Sequence, residues 1–202
     1  MPHSNSRGPS RRSLALTMAT LAAAAVFAAE VPQAIAVGKP APDFTLPGSD
    51  GSTHALSDLR SSKGVVIIFV STRCPVSNAY NERMARLADT YSSKGIRFVG
   101  INANKAEQPE EIADHARKHQ WSFPVLKDAG NKVADLYGAT VTPEAFVVDP
   151  SGVVRYHGRI DDSQDAPAVK ARDLDEALDA LLAGREVAKK EAKAFGCSIK
   201  RG

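Results

Sequence analysis

The chain's two cysteines, Cys74 and Cys197, carry its strongest chemical signal. Cys74 follows a β-branched run, 64–71 (GVVIIFVS), and is followed at once by Pro75. Proline is tolerated at the first helical position, so Cys74 reads as the N-cap of a helix. Free backbone amides and the positive end of the helix dipole favour a thiolate there. A thiolate attacks a disulfide sulfur or a peroxide oxygen. Arg73 adds cationic support if its side chain turns inward. A buried core cysteine is the competing reading. The strand-to-helix junction favours chemistry, because ligands of open α/β sheets gather at that edge.

Cys197 lies far down the chain, on a flexible tail with Gly196 before it. A sulfenic acid formed at Cys74 needs a second thiol to resolve it, and Cys197 is the one intramolecular candidate. Two other roles stay open: a permanent Cys74–Cys197 staple, and a Cys197 that never meets Cys74. Spacing does not choose among the three. Cysteines so widely separated do not suggest zinc. His3, His54, His115, His119 and His157 form no ligand constellation. His115 and His119 have a metal-compatible spacing but no third ligand, and read as a solvated helix face. Asp161-Asp162 reads as a solvated turn.

The elements that must position these residues are legible from periodicity. The run 64–71 has the continuous apolar character of a strand buried on both faces. Val76, Tyr80, Met84, Leu87 and Tyr91 step by three and four, predicting one helix over 76–91. A second buried strand is expected at 96–101, a polar helix at 109–119, a short extended piece at 123–126 and a brief helix at 132–137. Residues 144–148 and 153–156, joined by Asp149-Pro150-Ser151-Gly152, read as a hairpin. A helix over 172–182 closes the domain, with Gly184 at its C-terminal end. The order β-α-β-α, hairpin, helix predicts an α/β fold: a mixed sheet covered on both faces.

Residues 1–28 read as a signal peptide. A cationic stretch ends at Arg12, residues 14–27 contain no charge, and Val26-Phe27-Ala28 offers a small-residue cleavage site. Ser10-Arg11-Arg12-Ser13-Leu14 is similar to a twin-arginine export signal. The apolar run falls short of the roughly 20 residues a membrane span needs, so no stable span is expected after leader cleavage. The mature chain would meet an oxidising, periplasmic compartment. The linker is 29–37, the domain 38–184, and the tail carrying Cys197 is 185–202. With 43% apolar residues the chain can form a packed core. Its net charge of +3 is spread without a basic, aromatic-rich stripe, so no nucleic-acid partner is expected.

Several motifs in a fixed order resemble the thioredoxin-like redoxins: Gly38 with the proline-punctuated stretch to Leu46, Ser71-Thr72-Arg73-Cys74-Pro75-Val76-Ser77, and Val141-Thr142-Pro143-Glu144-Ala145-Phe146-Val147-Val148-Asp149. Gly158-Arg159-Ile160-Asp161-Asp162 and Gly196-Cys197-Ser198-Ile199-Lys200 place the resemblance in the peroxiredoxin-like branch, among relatives of alkyl hydroperoxide reductase and thiol-specific antioxidant. The resemblance implies a thioredoxin-like fold and a cis Thr142–Pro143 bond facing Cys74, which would present the Thr142 backbone to a substrate chain. The residues alone favour a trans bond that starts the hairpin strand.

The chain departs from the family at several positions. Ser77 stands where thioredoxins carry their second cysteine, which excludes a local dithiol cycle. Ile67 replaces an expected proline, Ser71 stands in for a threonine, and Thr142-Pro143 lies where an arginine is expected. Arg159 is a weak substitute for that arginine.

The resemblance implies catalytic roles for Cys74, Cys197, Thr142 and Pro143. It implies a peroxide or protein disulfide as substrate, and an external dithiol reductant, a thioredoxin-like protein, as partner. It calls for no metal or organic cofactor. The competing class is a non-catalytic binding module of the same fold, with a structural Cys74–Cys197 disulfide.

Overall fold

In the computed structural model, residues 1–3 and 35–202 are described. Beyond its first three residues the leader lies outside them, as does most of the 29–37 linker. From residue 35 the chain makes a turn at Val37-Gly38, closed by Lys39 N donating to Ala36 O at 3.2 Å, then follows a proline-rich entry to a small antiparallel pair, β1 (Thr45–Pro47) and β2 (Thr53–Ala55), and the one-turn helix α1 (Leu56–Leu59).

The expected central strand is β3 (Gly64–Phe69), and each of its residues is buried. Alternate side chains enter two separate apolar clusters. Val66 and Ile68 face one, Val65, Ile67 and Phe69 the other. That two-sided burial explains why the run lacks a polar face. The chain next forms α2 (Pro75–Asn78) and α3 (Asn81–Ser92), then β4 (Ile96–Asn102), which pairs in parallel with β3. Helix α4 (Pro109–Lys118) leads to β5 (Val125–Lys127), parallel to β4, and to α5 (Lys132–Tyr137).

A two-residue strand, β6 (Val141–Thr142), precedes the hairpin of β7 (Glu144–Val148) and β8 (Val154–Gly158). A 3-10 turn (Ala166–Ala168) and helix α6 (Asp173–Leu182) follow, then two short strands, β9 (Glu191–Ala192) and β10 (Cys197–Ser198). The main sheet runs β5-β4-β3-β7-β8-β9, and β6 pairs separately with β10. This is the mixed sheet the motif order predicts.

Two expectations change. The helix expected over 76–91 is two helices. Tyr80 N donates to Ser77 O at 3.0 Å, tightening the chain between them, and Met84 N donates to Tyr80 O to resume the winding. Burial of Tyr80, whose hydroxyl donates to Asp161 Oδ1 at 2.9 Å, fixes the break. The apolar stripe survives it: Tyr80, Met84, Leu87 and Tyr91 share one cluster, with Val76 packed against it.

Nor is the segment after α6 a free tail. Strand β9 extends the sheet in parallel beside β8, and β10 pairs antiparallel with β6. Val187, Ala192 and Ile199 are all buried. Glycines permit the close passage: a Cβ on Gly158 would lie 2.0 Å from Ala192 O, and one on Gly196 2.0 Å from Thr142 O.

The first of these contacts gives a prediction. Gly158→Ala should force β9 from β8 and lower unfolding stability by about 1–3 kcal/mol, the usual range for overpacking. Urea denaturation measures it, and an unchanged midpoint would show that the passage tolerates a side chain.

Candidate active site

Cys74 sits where the chain leaves β3 and enters α2. Its backbone is extended (φ −80°, ψ 117°), as an N-cap requires, and its Sγ accepts a hydrogen bond from Ser77 N at 3.3 Å. Helix α2 has only one turn, so its dipole is small. The direct amide contact is the larger support for a thiolate. The residue is 3% exposed.

The turn before Cys74 is held by polar side chains. Ser71 Oγ accepts from Cys74 N at 3.0 Å and Arg73 N at 3.2 Å, and donates to Glu107 Oε1 at 2.6 Å. Ser77 Oγ accepts from Ser71 N at 3.3 Å. Glu107, also 3% exposed, takes further bonds from Thr72 N at 2.7 Å and Asn102 Nδ2 at 2.6 Å. The Thr72 hydroxyl lies 2.9 Å from Glu107 and 2.6 Å from Glu111, and its single proton serves one of them at a time.

Arg73 does not turn inward. Its side chain is 57% exposed and binds Glu111 through two nitrogens, at 2.9 and 2.6 Å. Hydrogen bonds from Arg73 and Thr72 hold the Glu111 carboxyl down at about 2.

The opposite wall is Thr142–Pro143, and the bond between them is cis. Thr142 O lies 3.4 Å from Cys74 Sγ, and Thr142 is buried. Strand β6 is fixed from behind by Glu144, whose Oε2 accepts from Thr140 N at 2.9 Å and Val141 N at 3.1 Å. Glu144 Oε1 contacts His157 Nε2 at 2.6 Å, and the His157 ring stacks on Phe146 with centroids 4.3 Å apart.

Pairing of β10 with β6 sets Cys197 directly opposite Thr142. Cys197 is half-buried and is joined to Cys74 by a disulfide, with Cα atoms 5.8 Å apart across 123 positions of sequence. Of the three roles left open for Cys197, the one in which it never meets Cys74 is excluded. Beside the sulfurs lies a recess of about 370 Å³, lined by residues that include Ser71, Arg73, Asn104, Glu107 and Lys200.

All four site residues expected from sequence therefore meet at one place. Arg159 does not join them, since its Nε binds Asp173 at 2.6 Å. Asp161 is not in a solvated turn but in a buried pair with Arg83 at 2.5 Å. His115 and His119 face each other, ring centroids 4.4 Å apart. Sequence reasoning missed Glu107, Glu144 and His157. Glu144 was detectable as a carboxylate opening an otherwise apolar strand. Nothing in the sequence separates Glu107 from the neighbouring Glu110 and Glu111.

Among the described residues no group of three or more His, Cys, Asp or Glu is placed to hold a metal ion, and no helix is long and apolar enough to cross a membrane. Comparison with known proteins gives the family. The chain is 31% identical over 122 residues to a thiol-disulfide oxidoreductase ResA of Geobacillus thermodenitrificans, covering 60% of this chain and 68% of that one. A hypothetical protein of Sinorhizobium meliloti 1021 superposes with a TM-score of 0.79 at 34% identity, over 84% of this chain and 97% of the other. Peroxidoxin BcpB of Mycobacterium tuberculosis gives a TM-score of 0.60 at 27% identity, over 74% and 97%. The AhpC/TSA family model matches residues 37–157, more than half of the sequence, and the chain belongs to that family.

Proposed function

We propose that this protein is a thiol-dependent oxidoreductase of the redoxin type in which Cys74 attacks the oxidant and Cys197 resolves it. The observation that carries this reading is the Cys74–Cys197 bond, formed with Cys74 capping a helix and Cys197 seated against the Thr142–Pro143 wall.

With a peroxide, the Cys74 thiolate attacks one oxygen and the O–O bond breaks. The departing alkoxide takes a proton to leave as alcohol, or as water when the peroxide is hydrogen peroxide. Cys74 becomes a sulfenic acid. The Cys197 thiol then attacks that sulfur and expels water, giving the disulfide. With a disulfide oxidant, Cys74 displaces one thiolate and Cys197 displaces the second. Both routes end in the bond seen here.

An external dithiol restores the reduced form. Its thiolate attacks Cys197, the more exposed sulfur-bearing residue, and Cys74 departs as a thiolate steadied by Ser77 N. A thiolate that accepts a backbone N–H bond is the better leaving group, so the geometry and the chemistry agree on direction. The dithiol's second sulfur then displaces Cys197. A thioredoxin-like protein has the chemistry this partner needs. Export to the periplasm, read from the leader, suits a disulfide that must persist.

Two predictions follow from this assignment. Cys74→Ser should abolish turnover with peroxide and disulfide oxidants alike. Cys197→Ser should keep the first oxidation but stall as a sulfenic acid or mixed disulfide, visible by mass spectrometry. A wild-type bond that resists dithiothreitol under native conditions would instead favour the non-catalytic binding module.

The second concerns acid. Because the folded Glu111 pKa is depressed below its unfolded value, the Arg73–Glu111 support is present above about pH 4.5 and is lost as pH falls toward 2. An NMR titration of Glu111 should give a midpoint near 2, and a midpoint near 4.5 would show that Arg73 and Thr72 do not bind it in solution.

A further inference from the structure

We propose that the C-terminal strand is a resident pseudosubstrate: it stays on β6 through the redox cycle and confines Cys74 to oxidants small enough to enter the adjoining recess, excluding extended polypeptide disulfides. The inference rests on the thiol reading above and adds the substrate class.

A two-residue strand beside a reactive cysteine offers backbone groups that a client chain can pair with. Here that edge is taken. Cys197 and Ser198 pair with Thr142 and Val141, and Ile199 N donates to Thr140 O at 2.9 Å. The fit is close enough that only glycine precedes the cysteine without collision, since a Cβ on Gly196 would meet Thr142 O. A client with any other residue before its cysteine cannot follow the same track.

The strand's attachments do not depend on the disulfide. Before Cys197, Phe195 packs edge-on against Tyr80 with ring centroids 6.3 Å apart. After it, Ile199 is 5% exposed and enters the second apolar cluster. Lys200 N donates to Asn104 Oδ1 at 2.8 Å, Lys105 N to Lys200 O at 2.9 Å, and Gly202 N to Asn131 Oδ1 at 3.1 Å. Arg201 Nε binds Asp135 at 2.9 Å. Reduction removes one bond and leaves all of these.

With the strand in place, Cys74 is reached through the recess of about 370 Å³. That volume is of small-molecule size. An extended segment of four residues spans about 13 Å and needs an open strand edge as well. For a small disulfide the step balances simply. Cys74 thiolate attacks one sulfur and one thiolate leaves; Cys197 thiolate attacks Cys74 Sγ and releases the other. The protein dithiol gives up two electrons and two protons, which the departing thiols carry away.

The test compares two oxidants on the reduced full-length protein: hydroxyethyl disulfide, and the disulfide-linked dimer of a peptide copying residues 193–202. Wild type should react with the peptide at least about tenfold more slowly, because only the open fraction can accept it. Gly196→Val, which drives the strand off β6, should bring the two rates within about threefold of each other; Ile199→Asp is the second variant. Hydrogen exchange, which needs no variant, should show the Ile199 amide, bonded to Thr140 O, protected in both redox states. Equal wild-type rates, or loss of that protection on reduction, would overturn the pseudosubstrate. If neither oxidant closes the wild-type disulfide while hydrogen peroxide does, the proposal is overturned and the thiol reading stands; if hydrogen peroxide fails as well, both fall.

Discussion

Whether Cys74 and Cys197 can meet depends on one backbone contact, the antiparallel pairing of β10 with β6. The two cysteines are 123 positions apart, and nothing local draws them together. Closing so long a loop in a disordered chain is entropically expensive, of order 5 kcal/mol in the chain-entropy picture. The fold meets that cost with strand pairing, the buried side chains of Val187, Ala192 and Ile199, and two glycines that let backbones pass without side chains between them. A side chain at either glycine would collide with a carbonyl oxygen. The site is therefore assembled by packing of the C-terminal segment rather than by a cysteine pair within one turn of helix.

Buried carboxylates are the second constraint. A desolvated carboxylate without partners destabilises a fold severely, so Glu107 and Glu144 persist only because their oxygens are bonded. Among the described residues neither is paired with an arginine or lysine: Glu107 takes serine, threonine, asparagine and backbone donors, and Glu144 takes two backbone amides and His157. Each carboxylate braces one wall of the site, Glu107 the turn that carries Cys74 and Glu144 the strand that carries Thr142. Partners fixed in direction as well as distance make these braces rigid, and rigidity keeps the two walls in register.

Much of the fold was legible because the strands are buried on both faces and their apolar runs are continuous. The stretch 64–71 reads as strand from composition alone, and the brief helix expected at 132–137 coincides with α5 (Lys132–Tyr137). The break between α2 and α3 was not legible. It is set by the burial of Tyr80 and its one hydrogen bond to Asp161, which a 3.6-residue period does not encode. The docking of the segment after α6 is hidden for a related reason. Strands of two residues carry no periodicity, and polar residues such as Lys189, Lys190 and Lys193 hide the isolated apolar anchors among them. Cys74 was identifiable from the strand, cysteine and proline in sequence. The proximity of Cys197 was not, because pairing across the whole domain leaves no mark on spacing.

Ser77 shows what this arrangement does to the chemistry. Its amide still donates to Cys74 Sγ, while its hydroxyl accepts from Ser71 N and reinforces the turn. The thiolate support of a helical site is thus retained, but the second sulfur comes from a different part of the chain. Redox state and tail docking are then thermodynamically linked: any contact that orders the segment before oxidation raises the effective concentration of Cys197 at Cys74, and so favours the disulfide. The ordering entropy is met once, by Phe195, Ile199 and the bonds beyond, and is not charged again at each closure. On the proposed cycle a docked segment favours resolution and stabilises the oxidised form, and it places that stability in residues remote from either sulfur.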